Sequence, residues 1–365
     1  MKKLLLAALA AALCLTACRH APEKVKFWKG ADIGWATEME AWGATFYDKE
    51  GNPMECTALM KKLGLDAVRF RVWVDPSAHG NWNGIDDLLV KARRARDLDM
   101  AIMVDFHYSD FWADPKKQNI PASWSGKSYE EIKGLLAAHT TDVLERLKAE
   151  NIEPKWVQVG NETSSGFLWT VRGDQWGDPI PDEDGKITIL ESVGHLRNNP
   201  EQYAGLFAAG YDAVKGVFPR SQVIVHLDNG FYQPLYDSNL DTLAKYGAKW
   251  DIVGMSLYPY WALDTGLATD EEETITHCMA NIGHVWEKYG TPVMIVETGF
   301  EVDESRPEVM EKGRDQLRRI LREARATGHC LGVFYWEPEC RPSQYKLGAF
   351  SSEGRPTVIM DAFSE

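Results

Sequence analysis

The chain has 365 residues, 44% hydrophobic and 26% charged, a globular composition long enough to bury a large core. With 40 Lys and Arg against 54 Asp and Glu, its formal net charge of −14 argues against an electrostatic grip on nucleic acid. The 14 Trp call for either a big core or a cleft that receives flat apolar ligand faces.

Lys2 and Lys3 precede the apolar run Leu4 to Leu13, which at about ten residues is too short to span a bilayer and reads as the h-region of a signal peptide. Leu15-Thr16-Ala17-Cys18 then resembles the lipobox of bacterial lipoproteins. That resemblance implies removal of residues 1–17 and lipidation of Cys18; ordinary cleavage near Ala17 is the alternative, and bulky Leu13 makes Cys14 a poorer site. Residues 18–26 read as the lipidated N-terminus and a polar tether. No later stretch reaches transmembrane length, so membrane contact is expected only through an anchor, on the surface or outer membrane of a bacterium. Cys56, Cys278, Cys330 and Cys340 match no zinc spacing and read as small buried apolar residues. Cys330 and Cys340 bracket a strand-like run and are not expected to pair.

From residue 27 onward, short runs rich in Val, Ile, Phe and Tyr alternate with stretches of helical periodicity. Strands are expected near Gly30–Trp35, Ala67–Val74, Ala101–His107, Lys155–Asn161, Gln222–Leu227, Ile252–Tyr258, Val293–Glu297 and Leu331–Trp336. Helices are expected at Cys56–Leu63, Asp86–Leu98, Tyr129–Glu150, Pro200–Val217, Leu240–Tyr246, Glu271–Tyr289 and Glu308–Ala326. Eight such units predict one (β/α)8 TIM barrel over residues 27–365. An open doubly wound sheet would want a Gly-rich phosphate turn, which Gly30-Ala31-Asp32-Ile33-Gly34-Trp35 does not provide. Thr163–Asn199 reads as a long, functional insertion after the fourth strand.

In such barrels the chemistry sits at the C-terminal strand ends. Polar residues there include Asp32, Arg69, Arg71, Asp75, Asp105, His107, Asn161, Glu162, Asp228, Asn229, Tyr258, Tyr260, Glu297 and Glu337. Glu162 and Glu297 close the fourth and seventh strands, whose ends face each other across the mouth. Two carboxylates over an open cleft suit glycoside hydrolysis. Each alone fits an ion pair or helix cap equally well. Arg69 and Arg71 share a strand face and either could hold a carboxylate ionised or form a buried structural pair. Asp105 and His107 lack the further ligands a metal site needs.

Gly30-Ala31-Asp32-Ile33, Val68 to Val74, Asp105 to Pro115, Gly160-Asn161-Glu162, His226 to Gly230, Tyr258-Pro259, Val296-Glu297-Thr298 and Phe334-Tyr335-Trp336-Glu337-Pro338 resemble, in order, the endo-β-1,4-galactanases of glycoside hydrolase family 53. The resemblance spans about residues 30 to 350. It implies a retaining glycosidase with Glu162 as general acid/base and Glu297 as nucleophile. It further implies that Arg69 lies near the nucleophile, Asn161 binds the sugar 2-hydroxyl, Tyr258 supports the nucleophile and His107 lines the cleft. Trp336 would stack under a galactosyl ring, Asp228 and Asn229 would bond sugar hydroxyls, and Trp112 and Trp169 would add ring contacts. Trp73 and Trp124 also fall where sugar faces could stack, whereas Trp156 and Trp286 read as packing.

The implied partner is β-1,4-galactan or its oligosaccharides, acted on by a monomer without a catalytic cofactor. The Glu301–Pro307 loop is short for the calcium-binding insertion of some members, and no calcium ligand set is identified. A mannanase or cellulase would share both glutamates, a lipid-anchored glycan-binding protein would need only the aromatics, and a metal-assisted hydrolase would need ligands not found.

Overall fold

A computed structural model describes residues 26–264 and 266–364. The expected lipobox and Cys18 lie outside the described residues. Eight parallel strands close into a barrel: β1 Trp28–Asp32, β2 Ala67–Val72, β3 Ala101–Phe106, β4 Trp156–Val159, β5 Gln222–Leu227, β6 Ile252–Leu257, β7 Val293–Thr298 and β8 Cys330–Trp336. Each pairs with its sequence neighbours, and β1 closes on β8 with Asp32 opposite Trp336. The expected (β/α)8 architecture is therefore the one observed.

The helices on the outside are α1 Ala36–Ala41, α2 Cys56–Lys62, α3 Ile85–Asp97, α4 Tyr129–Ala149, α5 Pro200–Val217, α6 Gln233–Lys245, α7 Pro259–Asp264, α8 Glu271–Tyr289 and α9 Pro307–Ala326. Their starts follow local chemistry. Ser128 and Glu131 form a reciprocal capping box on α4. Proline occupies the first turn of α5, α6 and α9, where its missing N–H costs nothing. Helix α6 begins seven residues earlier than periodicity predicts, because Pro234 starts it within a polar stretch whose buried members are Tyr236 and Asn239. Helices α1 and α7 have six residues each, too few for a periodic signal. None of the described helices is long and apolar enough to cross a membrane.

The barrel interior has two storeys. The lower is apolar and draws on every strand: Trp28, Ala67, Met103, Trp156, Ile224, Ile252, Met294 with Val296, and Phe334. Phe334 fits there because Gly30 has no side chain; a Cβ on Gly30 would lie 2.3 Å from the Phe334 ring. Two or four residues further along most strands, on the same face, come Asp32, Arg69, Asp105, Gln158, His226, Ser256 and Trp336. The sequence thus builds a dry plug and lays a polar floor on it.

Strand β7 reaches the floor differently. Glu297 is three residues beyond Met294, an odd offset that strict alternation would turn away from the mouth. Against β6, however, Ile295 faces Met255 and Glu297 faces Ser256, so β7 carries one extra residue there. This bulge brings Glu297 back to the barrel mouth.

All four described cysteines are free and buried, as expected for small apolar residues. Within Thr163–Asn199, strands Trp169–Val171 and Ile189–Ser192 form an antiparallel hairpin that sequence reading leaves as loop.

Candidate active site

Arg69 on β2 is the hub of the polar floor and is 1% exposed. Its Nη1 lies 2.7 Å from Asp32 and 2.8 Å from Glu297, and its Nη2 lies 2.8 Å from both Asp105 and Asn161. Its Nε donates to Gln158 at 3.3 Å. A planar fork with five N–H groups is the side chain that can serve partners on five strand ends or loops at once.

Glu297 receives a second donor, the Tyr258 hydroxyl at 2.9 Å, from the end of β6. Burial lifts its carboxyl above the ordinary range, and the Arg69 guanidinium and the Tyr258 hydrogen bond oppose that rise. Glu162, half-buried just past β4, receives only the Ser256 hydroxyl, 2.6 Å from Oε1. Burial and the facing Glu297 and Asp228 carboxylates hold Glu162 well above the ordinary carboxyl range. The two carboxyls therefore differ in kind: one is clamped by a cation, the other is desolvated and set to keep a proton. Ser256 at the end of β6 and Tyr258 just past it hold one carboxyl each.

Backbone strain accompanies this placement. Glu162 sits at φ 47°, Asn229 at φ 46° and Glu337 at φ 46°, all just beyond strand ends. A non-glycine left-handed residue costs on the order of 1 kcal/mol. Gly160, at φ 83°, removes the same cost at the turn leading to Glu162, and a Cβ there would meet Thr163 at 2.5 Å.

Asn161 has both amide ends engaged, Oδ1 by Arg69 and Nδ2 by the Ala113 carbonyl at 2.8 Å. His107 is 3% exposed, with Nε2 3.1 Å from Asp105 and Nδ1 accepting the Ala113 N–H at 3.0 Å. Asp228 binds Ser164 through one oxygen and Asn229 through the other, and burial pushes it up to about 6.

The tryptophans divide. Trp112 and Trp336 are half-buried, with ring centroids 5.8 Å apart, and Trp35 packs edge-on to both. Trp112 also lies over the Arg71 guanidinium, 4.1 Å from the ring centroid. Trp169 does not offer a ring face: it is 5% exposed, donates to the Gly166 carbonyl at 3.2 Å and packs edge-on to His195. Trp73 and Trp124 are likewise buried. Trp156 is core, and Trp286 packs at the surface, 39% exposed and stacked on His329.

Sequence reading passed over Gln158, His226, Ser256 and Trp35 as site residues. Period two from Tyr258 would have pointed to Ser256, and from Ile224 to His226. Arg71 pairs with Glu337, which also accepts the Gly34 and Trp35 N–H groups at 3.1 Å and so anchors the β1 loop. Among the described residues, no group of three or more His, Cys, Asp or Glu could hold a metal ion. In the short loop after β7, Asp303 is engaged by Ser305 and Arg306.

The chain is 29% identical over 400 residues to the arabinogalactan endo-beta-1,4-galactanase of Cellvibrio japonicus, covering all of this chain and 96% of the relative. It is 28% identical over 344 residues to the endo-beta-1,4-galactanase of Bacillus subtilis, covering 87% and 71%. Among solved structures, the GH53 catalytic domain of Ignisphaera aggregans superposes with TM-score 0.76 at 25% identity, over 94% of this chain and 97% of that one. Residues 28–355 match the family model described as Glycosyl hydrolase family 53, and the chain belongs to that family.

Proposed function

We propose that the protein is an endo-acting, retaining β-1,4-galactanase that cleaves galactan or type I arabinogalactan, with Glu297 as nucleophile and Glu162 as general acid/base. The observation that carries the assignment of roles is the unequal support of the two carboxyls: Arg69 and Tyr258 on Glu297, Ser256 alone on Glu162. Membership of the family and the galactanase relatives support the substrate.

In the first step Glu297 attacks the anomeric carbon while Glu162 passes its proton to the departing glycosidic oxygen. The charge on Glu297 is lost as the covalent bond forms, and the charge Glu162 gains faces a carboxyl that is no longer anionic. Water then attacks the glycosyl-enzyme, with Glu162 as base, and Glu297 returns to its cation. Asn161, Asp228 and Asn229 bind sugar hydroxyls, His107 lines the cleft behind them, and Trp112 and Trp336 provide ring contacts. The enzyme acts as a monomer, exported and held to a bacterial membrane through a lipid on Cys18.

The test is reducing-end release from β-1,4-galactan, mannan and cellulose. Oligosaccharides from galactan, lost in Glu162→Gln and Glu297→Gln, are expected. Equal or faster release from mannan or cellulose would move the substrate assignment, and no release from any would leave only glycan binding.

A further inference from the structure

We propose that His226 is a positioning residue that, through Ser256, fixes which oxygen of Glu162 carries the catalytic proton. The inference rests on the reading of Glu162 as the general acid/base. The hydrogen bonds form a ring that begins and ends on that residue. The Glu162 backbone N–H donates to His226 Nδ1 at 3.2 Å; His226 Nε2 lies 2.8 Å from Ser256 Oγ; Ser256 Oγ donates to Glu162 Oε1 at 2.6 Å.

The direction of the ring follows from its first link. A backbone amide can only donate, so Nδ1 must present its lone pair. The Gln158 side-chain nitrogen, 2.9 Å away, reinforces this. Asn161 Oδ1 is also 3.1 Å from Nδ1, and with Nδ1 bare the two face each other as acceptors, the oxygen being served by Arg69. His226 is fully buried, and that burial, with the nearby Arg69 cation, holds it well below the ordinary imidazole range, so the ring stays neutral. A neutral imidazole with a bare Nδ1 has its hydrogen on Nε2, where it donates to Ser256. The serine oxygen is thereby an acceptor on one side and must turn its own hydrogen to Glu162. Oε1 is then an acceptor, and the acid proton resides on Oε2.

The left-handed backbone at Glu162 gives this arrangement its purpose, since one strained residue sends its N–H and its carboxyl to two ends of the same bridge. The charged groups facing Glu162 are Glu297 on β7, Asp228 after β5 and Asp114 in the loop after β3. Those facing His226 are Arg69 on β2 and Asp105 and His107 on β3. None of these supplies a donor to Oε1, so the orientation depends on the serine.

Two measurements test the proposal. Nitrogen-15 NMR of the full chain should show His226 with an unprotonated Nδ1 and a protonated Nε2, without titration between about pH 5 and 8. An Nδ1–H tautomer, or a ring that titrates in that range, overturns it whether or not any variant folds. In Ser256→Ala the lost donor favours the protonated acid, so the basic limb of the kcat/KM profile should move up by about half to one pH unit. Turnover of galactan should fall about tenfold, glycosylation by an aryl galactoside whose leaving group needs no proton should fall less, and Ser256→Thr should restore the limb. A folded Ser256→Ala with an unmoved limb and equal losses on both substrates overturns the proposal. Failure here leaves the acid/base reading intact if Glu162→Gln is inactive on galactan, whereas a fully active Glu162→Gln removes that reading itself.

Discussion

Replacing Arg69 by Lys keeps the charge and removes the fork. The guanidinium serves Asp32, Glu297, Asp105, Asn161 and Gln158, four of them at 2.7–2.8 Å. An ammonium has three donors on one atom, so at least two of these buried partners lose their bond. Leaving a buried acceptor unsatisfied costs about 1–3 kcal/mol, and more for a carboxylate, which puts the loss at roughly 3–5 kcal/mol. At roughly 2–3 °C per kcal/mol for a chain of this size, the thermal midpoint should drop by ~6–15 °C. The kinetic effect is separable. Burial raises Glu297 and Arg69 opposes it, so weakening that contact lets the carboxyl rise further. With Glu297 as the proposed nucleophile, the anion is the working form; activity is then lost as pH falls through its pKa, and the acid limb of kcat/KM should shift to higher pH. A charge-assisted contact of about 1.5–3 kcal/mol corresponds to a ~10–100-fold fall in kcat/KM near neutrality. Calorimetry and a pH–rate profile on soluble galactan read both. An unchanged midpoint together with an unmoved acid limb would refute the picture of Arg69 as the hub.

Tyr258→Phe removes the other donor to Glu297 and should move the acid limb the same way, with about a tenfold loss in kcat/KM and little change in the thermal midpoint. Because Glu162 is held well above the ordinary carboxyl range, the wild-type basic limb should lie above that range too; a basic limb near 4 would contradict it. Trp336→Ala and Trp112→Ala should raise KM for galactan several-fold, by loss of stacking area worth about 1 kcal/mol each. Trp169→Ala should behave oppositely: its ring is buried against His195, so stability falls by about 3–5 kcal/mol while KM in the surviving folded enzyme stays near wild type.

The strand and helix alternation made the barrel legible, because β-branched runs and amphipathic stretches are local signals. Strand ends were read slightly long: Trp35, Val74, His107, Asn161 and Tyr258 all lie past the hydrogen-bonded ladder, and that release lets the site residues among them turn into the mouth. Helices α1 and α7 escaped because six residues give no period. Within the site, the two glutamates stood out as carboxylates closing apolar runs. What remained hidden was which neighbour serves which. The bulge on β7 that re-aims Glu297 has no local sequence mark, and the bridge from His226 through Ser256 joins residues 94 positions apart at its far end. Tryptophan burial was equally opaque. Trp169 and Trp336 both follow apolar runs, yet one is buried in the hairpin and the other is half-buried at the end of β8.

Double displacement on β-1,4-galactan through Glu297 is tested most directly by proton NMR of the first products formed by the purified protein. New reducing ends should appear first as the β-anomer and only later equilibrate to the α-form. Initial α-anomer, which requires a single displacement by water across a wider carboxyl gap of ~6.5–9.5 Å, would contradict it.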